Sequence, residues 1–267
     1  MIPAAVTYVR ATTIEDALGA LGDPDASALA GGQTLIPAMK LRIARPSLLV
    51  DIGGLDLRGV SVDADSVRIG ALTTWDELLR ARELERPELA AIPECASGIG
   101  DLQVRNRGTV GGSLAHAHPA SDFPALALAF GASIVLRSAG GERAVDAREF
   151  FLGPFTTAIR AGELLTEVVL PLPAEGSGSA YACVEHPASG YALAGAAALV
   201  RPDGTRTAAL TGIGSHAFLL ESGDTTGLED VTVFGDDFAP VAYRRHLARV
   251  VVGRALAAAA ARAEEAA

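Results

Sequence analysis

Between Asn106 and Asp122 the chain passes from a charged start at Arg107, through the glycine pair Gly111-Gly112, to small and polar residues and an expected helix start. Glycine has no Cβ, so a ligand can approach its backbone closely and φ can turn positive. Successive N–H groups freed from a ladder form a concavity that suits an anion. Thr109, Ser113 and Ser121 add hydroxyls, and Asp122 adds a carboxylate. A diphosphate with a sugar beside it would use that inventory: N–H groups on phosphate, carboxylate on the sugar hydroxyls. A tight turn with a helix cap would use the same residues. A second glycine pair lies in Ala30-Gly31-Gly32-Gln33-Thr34, between an expected strand and an expected short helix. That layout aims backbone N–H groups at an anion, although alone it reads as an ordinary strand-to-helix turn. Two such loops facing each other could grip a diphosphate from both sides. The pair is more specific than either loop.

Other chemistry finds less support. No Gly-x-x-x-x-Gly-Lys-Ser/Thr run is present. Gly212-Ile213-Gly214-Ser215-His216-Ala217 matches Gly-x-Gly-x-x-Ala, a pattern with meaning only between a strand and a helix. Phe218-Leu219-Leu220 follows and does not read as a helix start. His116 and His118 could ligate a metal from a strand, but no third ligand stands nearby. Ser215 and His216, as neighbours in a strand, would point to opposite faces. Trp75 reads as core. The two cysteines, Cys95 and Cys183, are far apart and form no Cys-x-x-Cys pair. They cannot supply the four thiolates of an iron–sulfur cluster, so an electron-moving centre here must be an organic cofactor. Reduced thiols and a cytoplasmic location are expected.

The elements that position these residues follow from periodicity. At 267 residues the chain can bury a sizeable core. Residues 1–55 read as β-α-β-α-β, with strands at Val6–Val9, Ser27–Ala30 and Leu48–Ile52. A helix capped by Thr12 with Glu15 follows the first strand, and a short helix spans about Leu35–Arg42. Residues 56–173 read as a second unit. It has strands at Val67–Gly70, Ser133–Arg137 and Leu164–Leu170, a helix capped by Thr74 with Glu77, one around Glu88–Ile99, and one over Phe123–Phe130 stopped by Gly131. Glu175–Ser179 reads as a linker. Residues 179–267 read as an α+β unit: strands Ala180–Val184, Ala192–Val200 and Thr205–Leu210, a turn at Arg201–Gly204, and a long helix over about Pro240–Arg262. The alanine run Ala257–Ala261 suits that helix. A net charge of −10 argues against a nucleic-acid partner. No apolar run reaches the roughly 18 residues of a membrane span. Met1-Ile2-Pro3-Ala4 shows no basic region leading into an apolar one, so no signal peptide is expected.

Ala30-Gly31-Gly32-Gln33-Thr34-Leu35 with Pro37 and Met39, then Val104 to Ser113, then Pro119-Ala120-Ser121-Asp122, resemble the FAD-binding medium subunits of the molybdenum hydroxylases. These are enzymes of the carbon monoxide dehydrogenase and xanthine dehydrogenase type. The resemblance covers nearly the whole chain and is strongest over residues 29–135. It implies an α+β fold, with two N-terminal α/β FAD-binding subdomains followed by a C-terminal α+β domain of antiparallel sheet and helices. It implies FAD as cofactor, and as partners an iron–sulfur subunit and a molybdenum-cofactor subunit. Electrons would pass from their centres through FAD to an external acceptor.

By the same resemblance, Gly31, Gly32, Gln33, Thr34 and Leu35, with Thr109, Gly111, Gly112 and Ser113, fall where the family wraps the diphosphate. His116, Ser121 and Asp122 fall where relatives add polar contacts to phosphate or sugar. Leu165 falls where a backbone meets the adenine side, and Tyr191 where an aromatic residue often lies near the isoalloxazine. His118 stands where an aspartate is common. Cys183 to Gly190 replaces a basic run, so charge is lost or reversed before Tyr191. That departure motivates an alternative, a stand-alone FAD oxidoreductase without a molybdenum partner. No residue is an obvious acid–base catalyst, which suits electron transfer.

Overall fold

Three short strands open the chain: β1 (Thr7–Arg10), β2 (Ala26–Leu29) and β3 (Leu48–Asp51). They form a parallel sheet in the order β1-β3-β2. Helices α1 (Ile14–Ala20) and α2 (Leu35–Lys40) connect them. The computed structural model describes residues 2–266. α1 buries Ala17 and Leu18 in one small cluster with Val50 and Ile52. Its capping box is Thr13 with Asp16, one residue later than the expected Thr12 with Glu15. Both pairs have the right spacing. Ala11 is held to the strand carbonyl of Asp51 at 3.0 Å, which keeps the chain extended and leaves Thr13 as the residue that turns.

A five-stranded antiparallel sheet follows, built from β4 (Val60–Val62), β5 (Ser66–Gly70), β6 (Ser133–Ser138), β7 (Gly141–Asp146) and, after them in the chain, β10 (Leu164–Pro171). Its order is β4-β5-β10-β6-β7. The edge strands β4 and β7 were not expected from the sequence, because neither carries an apolar run. Helices α3 (Trp75–Arg80), α4 (Ala91–Gly98), α5 (Leu102–Arg105), α6 (Val110–His116) and α7 (Phe123–Phe130) lie between β5 and β6. Between β7 and β10 come α8 (Ala147–Phe150) and the small hairpin β8 (Phe151–Gly153) and β9 (Thr156–Thr157). α3 has the expected box, Thr74 with Glu77, and Trp75 is core. α7 is buried at every residue, as a helix apolar all round should be. Gly131 ends it in the left-handed conformation.

The last sheet is antiparallel: β11 (Gly178–Glu185), β12 (Ala192–Val200), β13 (Arg206–Thr211) and β14 (Phe218–Leu220), in that order. The long helix α9 (Val241–Ala266) lies on it. Every residue of β12 is buried, because α9 packs on one face and α7 on the other. Ala194, Ala196 and Ala198 join the α9 cluster, while Ala197 joins the α7 cluster. Small side chains on both faces let the helices come close. At Gly178 a Cβ would run into the Ala259 carbonyl of α9. Gly178 and Ser179 are therefore buried strand residues, and the expected linker is shorter than Glu175–Ser179. Among the described residues no helix is long and apolar enough to cross a membrane.

Candidate functional site

The chain leaves β2 at Leu29 and enters α2 at Leu35 through the first glycine pair. Gly32 has φ of +74°, a turn that glycine makes without strain. The N–H groups of Gly32, Gln33, Thr34 and Leu35 have no acceptor among the described residues. Four adjacent donors are thus open to a ligand, as an anion-binding concavity requires. Gly31 serves a different end. A Cβ there would overlap the Arg107 carbonyl, so only glycine lets the two loops touch. The two glycine loops do face each other.

The second loop differs from its expected form. Gly111 and Gly112 lie inside α6 with helical rather than positive φ. Its N-terminal donors are used by the chain: Val110 N–H bonds the Thr73 carbonyl at 3.0 Å, Gly111 N–H the Ala71 carbonyl at 2.8 Å, and Gly112 N–H the Thr109 hydroxyl at 3.1 Å. The expected row of free N–H groups is confined to the first loop. Gly111 is buried against Ala71, where a Cβ would lie 2.6 Å from the Ala71 Cβ. Gly112 is exposed, and a Cβ would meet only the Thr109 hydroxyl, at 2.8 Å. With Ala115, also exposed, it leaves one flank of α6 bare of long side chains.

Beyond α6 the polar residues gather. Ala117 ends the helix with φ of +47°, folding the chain back so that the His116 and His118 rings sit 6.0 Å apart beside Phe155. His118 Nδ1 accepts the Ala120 N–H at 3.1 Å. Burial holds both histidines below the usual imidazole range. No group of three candidate ligands suited to a metal exists among the described residues. Tyr191 stacks on His118, rings 4.1 Å apart and 15° from parallel. The Ser113 and Ser121 hydroxyls are 2.7 Å apart. The Thr211 hydroxyl donates to the Pro119 and Ser121 carbonyls and fixes this connection to β13. Leu165 is buried on β10 next to a bulge. The following carbonyl, of Thr166, accepts the Ala71 N–H at 2.9 Å, so this strand and Gly111 both bond one residue.

Asp122 departs most from expectation. It precedes α7 yet makes no side-chain cap. Its carboxylate accepts the Tyr181 hydroxyl of β11, with the Cys183 thiol also in reach. Burial pushes its pKa up to about 6, against the Tyr181 hydroxyl, and Glu185 adds to the rise. Burial also raises the Cys183 and Cys95 thiols and the Tyr181 phenol. Tyr181 and Thr211 were not singled out from the sequence. Their partners lie 59 and 90 or more residues away, and no local pattern joins them. Ser215 and His216 are not opposed across a strand. They lie in a bend and bond side chain to side chain at 2.9 Å, and no helix follows the Gly-x-Gly-x-x-Ala run.

The chain belongs to the family described as the FAD-binding domain in molybdopterin dehydrogenase, which matches residues 4–173. It is 38% identical over 230 residues to the carbon monoxide dehydrogenase medium chain of Hydrogenophaga pseudoflava, spanning 84% of this chain and 80% of that one. The carbon monoxide dehydrogenase medium chain of Afipia carboxidovorans is 36% identical over 289 aligned positions, spanning 99% and 100%. A solved structure of the Hydrogenophaga pseudoflava enzyme superposes with a TM-score of 0.93 at 34% identity, covering 98% and 99%. The chain is an FAD-binding medium subunit of the molybdenum hydroxylase type, and the stand-alone alternative is not favoured.

Proposed function

We propose that the chain holds FAD between its two glycine loops and relays electrons from an iron–sulfur subunit, itself fed by a molybdenum-cofactor subunit, to an external acceptor. The observation that carries the placement is the run of unbonded N–H groups from Gly32 to Leu35, pressed against the second loop at Gly31. These donors would bind the diphosphate, with Gln33 and Thr34 beside it. The bare flank at Gly112 would let the cofactor lie against α6, near Thr109 and Ser113. His116, Ser121 and Asp122 would make polar contacts further along, and the backbone at Leu165 would meet the adenine side. Tyr191 would shield one face of the isoalloxazine from water. FAD supplies the electron exchange itself, and the protein supplies binding and electrostatics.

The partners are supported by relatives that are medium chains, one of them a subunit of a dehydrogenase complex. A division at 1–55, 56–173 and 179–267 is supported by one larger sheet in each part. The two free cysteines suit a cytoplasmic protein. The test is flavin content. Purified full-length protein should carry FAD or take it up, and should co-purify with a cysteine-rich subunit when the neighbouring genes are co-expressed. Folded protein that leaves added FAD fully fluorescent would refute the cofactor placement, and a lone flavoprotein would refute the partners.

A further inference from the structure

The turn after α2 carries charge and apolar surface together. Lys40, Arg42 and Arg45 alternate there with Leu41, Ile43 and Ala44. None of the three cations forms an ion pair among the described residues. Arg42 and Arg45 donate through Nε to backbone carbonyls, of Ile2 at 3.4 Å and of Arg42 at 2.9 Å. Asp25 reaches the same edge, where its carbonyl accepts the Ser47 N–H at 3.1 Å, but its carboxylate pairs with none of the three. Between the cations Leu41 is 52% exposed and Ile43 78%, and Ile2, bonded to Arg42, is 79% exposed. Ile2 leads into β1, an edge strand with all four residues exposed, Tyr8 and Val9 among them. Arg42 adds a second observation. Its φ is +58°, just past the helix end, where glycine is favoured. The Ile43 N–H closes that turn on the Ala38 carbonyl at 2.9 Å. An arginine there is strained, and within the chain it gains no carboxylate that would offset the strain.

We propose that this turn, with Ile2 and β1, is the docking surface for an acidic face of a partner subunit, one that sets carboxylates around an apolar recess. The inference rests on the reading above that the chain works with partner subunits. Charge selects the occupant. The chain carries a net charge of −10, so a local run of three cations favours an acidic surface and steers its approach. Two copies of this chain, or one copy and an anionic membrane, would repel overall. The residues also lie on a turn and a strand edge, not on one face of a long amphipathic helix, which membrane-surface binding uses. Leu41, Ile43 and Ile2 supply the apolar centre, and the cations supply its rim. The turn lies at the C-terminal end of α2, while the open N–H groups of Gly32 to Leu35 lie at its start. Docking and anion binding therefore use opposite ends of one helix.

The test is association of the full chain with the iron–sulfur and molybdenum-cofactor subunits expressed from the neighbouring genes, measured as a dissociation constant at low and high salt. Arg42→Gly removes a cation and relieves the left-handed turn. It should melt no lower than wild type, yet bind on the order of tenfold more weakly at low salt. Salt screens exposed charge, so that difference should shrink as salt is raised. Ile43→Ser should weaken binding at every salt concentration, because it removes apolar contact. Both variants should keep their FAD. Binding as tight as wild type in both variants overturns the inference and leaves the partner reading intact. If the wild type instead self-associates, or binds vesicles containing phosphatidylglycerol, and Arg42→Gly abolishes that, the surface has another occupant and the inference is overturned. A wild type that binds neither subunit sinks the partner reading and this inference together.

Discussion

Asp122→Asn should stabilise the flavin-free protein, and only above mildly acidic pH. The carboxyl of Asp122 titrates at about 6 in the fold against 3.8 in its ordinary state, first because it is buried and then because Glu185 is close. A folded pKa above the unfolded one means that the fold binds the proton more tightly. The associated stability is full below 3.8 and is lost as pH rises through about 6. A rise of about 2 units at 1.36 kcal/mol each corresponds to about 3 kcal/mol of stability missing at pH 8. Asparagine keeps an oxygen to accept the Tyr181 hydroxyl and carries no charge, so it removes the penalty without orphaning its partner. Urea or thermal unfolding of the apo-protein should therefore favour the variant by up to about 3 kcal/mol at pH 8 and by almost nothing at pH 4. At this chain length that is roughly 2–4 °C of Tm per kcal/mol. The difference between the two proteins is the quantity to read. Asp16, Glu77, Glu163 and Asp236 all have lowered pKa values, which tilt the stability of both proteins the other way. A difference that stays flat from pH 4 to pH 8 would show that Asp122 is not held as a costly buried charge.

The glycines give the remaining predictions. Gly31→Ala forces a side chain into the Arg107 carbonyl, so it should cost about 1–3 kcal/mol of stability and lower FAD content, both read on the purified protein. Gly112→Val should abolish FAD retention and leave the far-UV circular dichroism in place, with about 1 kcal/mol lost because the new Cβ disturbs the Thr109 cap. A variant that keeps its full flavin complement would place the diphosphate elsewhere. Tyr191→Ala should raise the fluorescence of bound flavin, since on the proposed placement its exposed ring, stacked on His118, would screen the isoalloxazine. Unchanged emission would remove Tyr191 from the site.

What the sequence disclosed and what it hid divide along the range of the interaction. Thr74 with Glu77, Gly131 after α7 and the turn at Arg201–Gly204 are fixed by neighbours within four residues, and each stands as read. Strands β4 and β7 were hidden because their pairing with β5 and β6 is the only thing that makes them strands. The site shows the same division. The glycine pairs marked both loops in the sequence, but the four glycines look alike there and differ in cause. Gly31 answers to Arg107 and Gly111 to Ala71, so each is required by the chain itself. Gly32 answers to a left-handed turn. Gly112 alone is exposed without a backbone neighbour that demands it. Its one close neighbour is the Thr109 hydroxyl, and on the proposed placement a cofactor lying against α6 would account for the rest. Asp122 makes the converse case. Its place before α7 suggests a cap, yet the hydroxyl that holds it comes from 59 residues further on, in a different sheet. Asp122 therefore ties the segment before α7 to β11 through the Tyr181 hydroxyl, a link that no local sequence pattern announces.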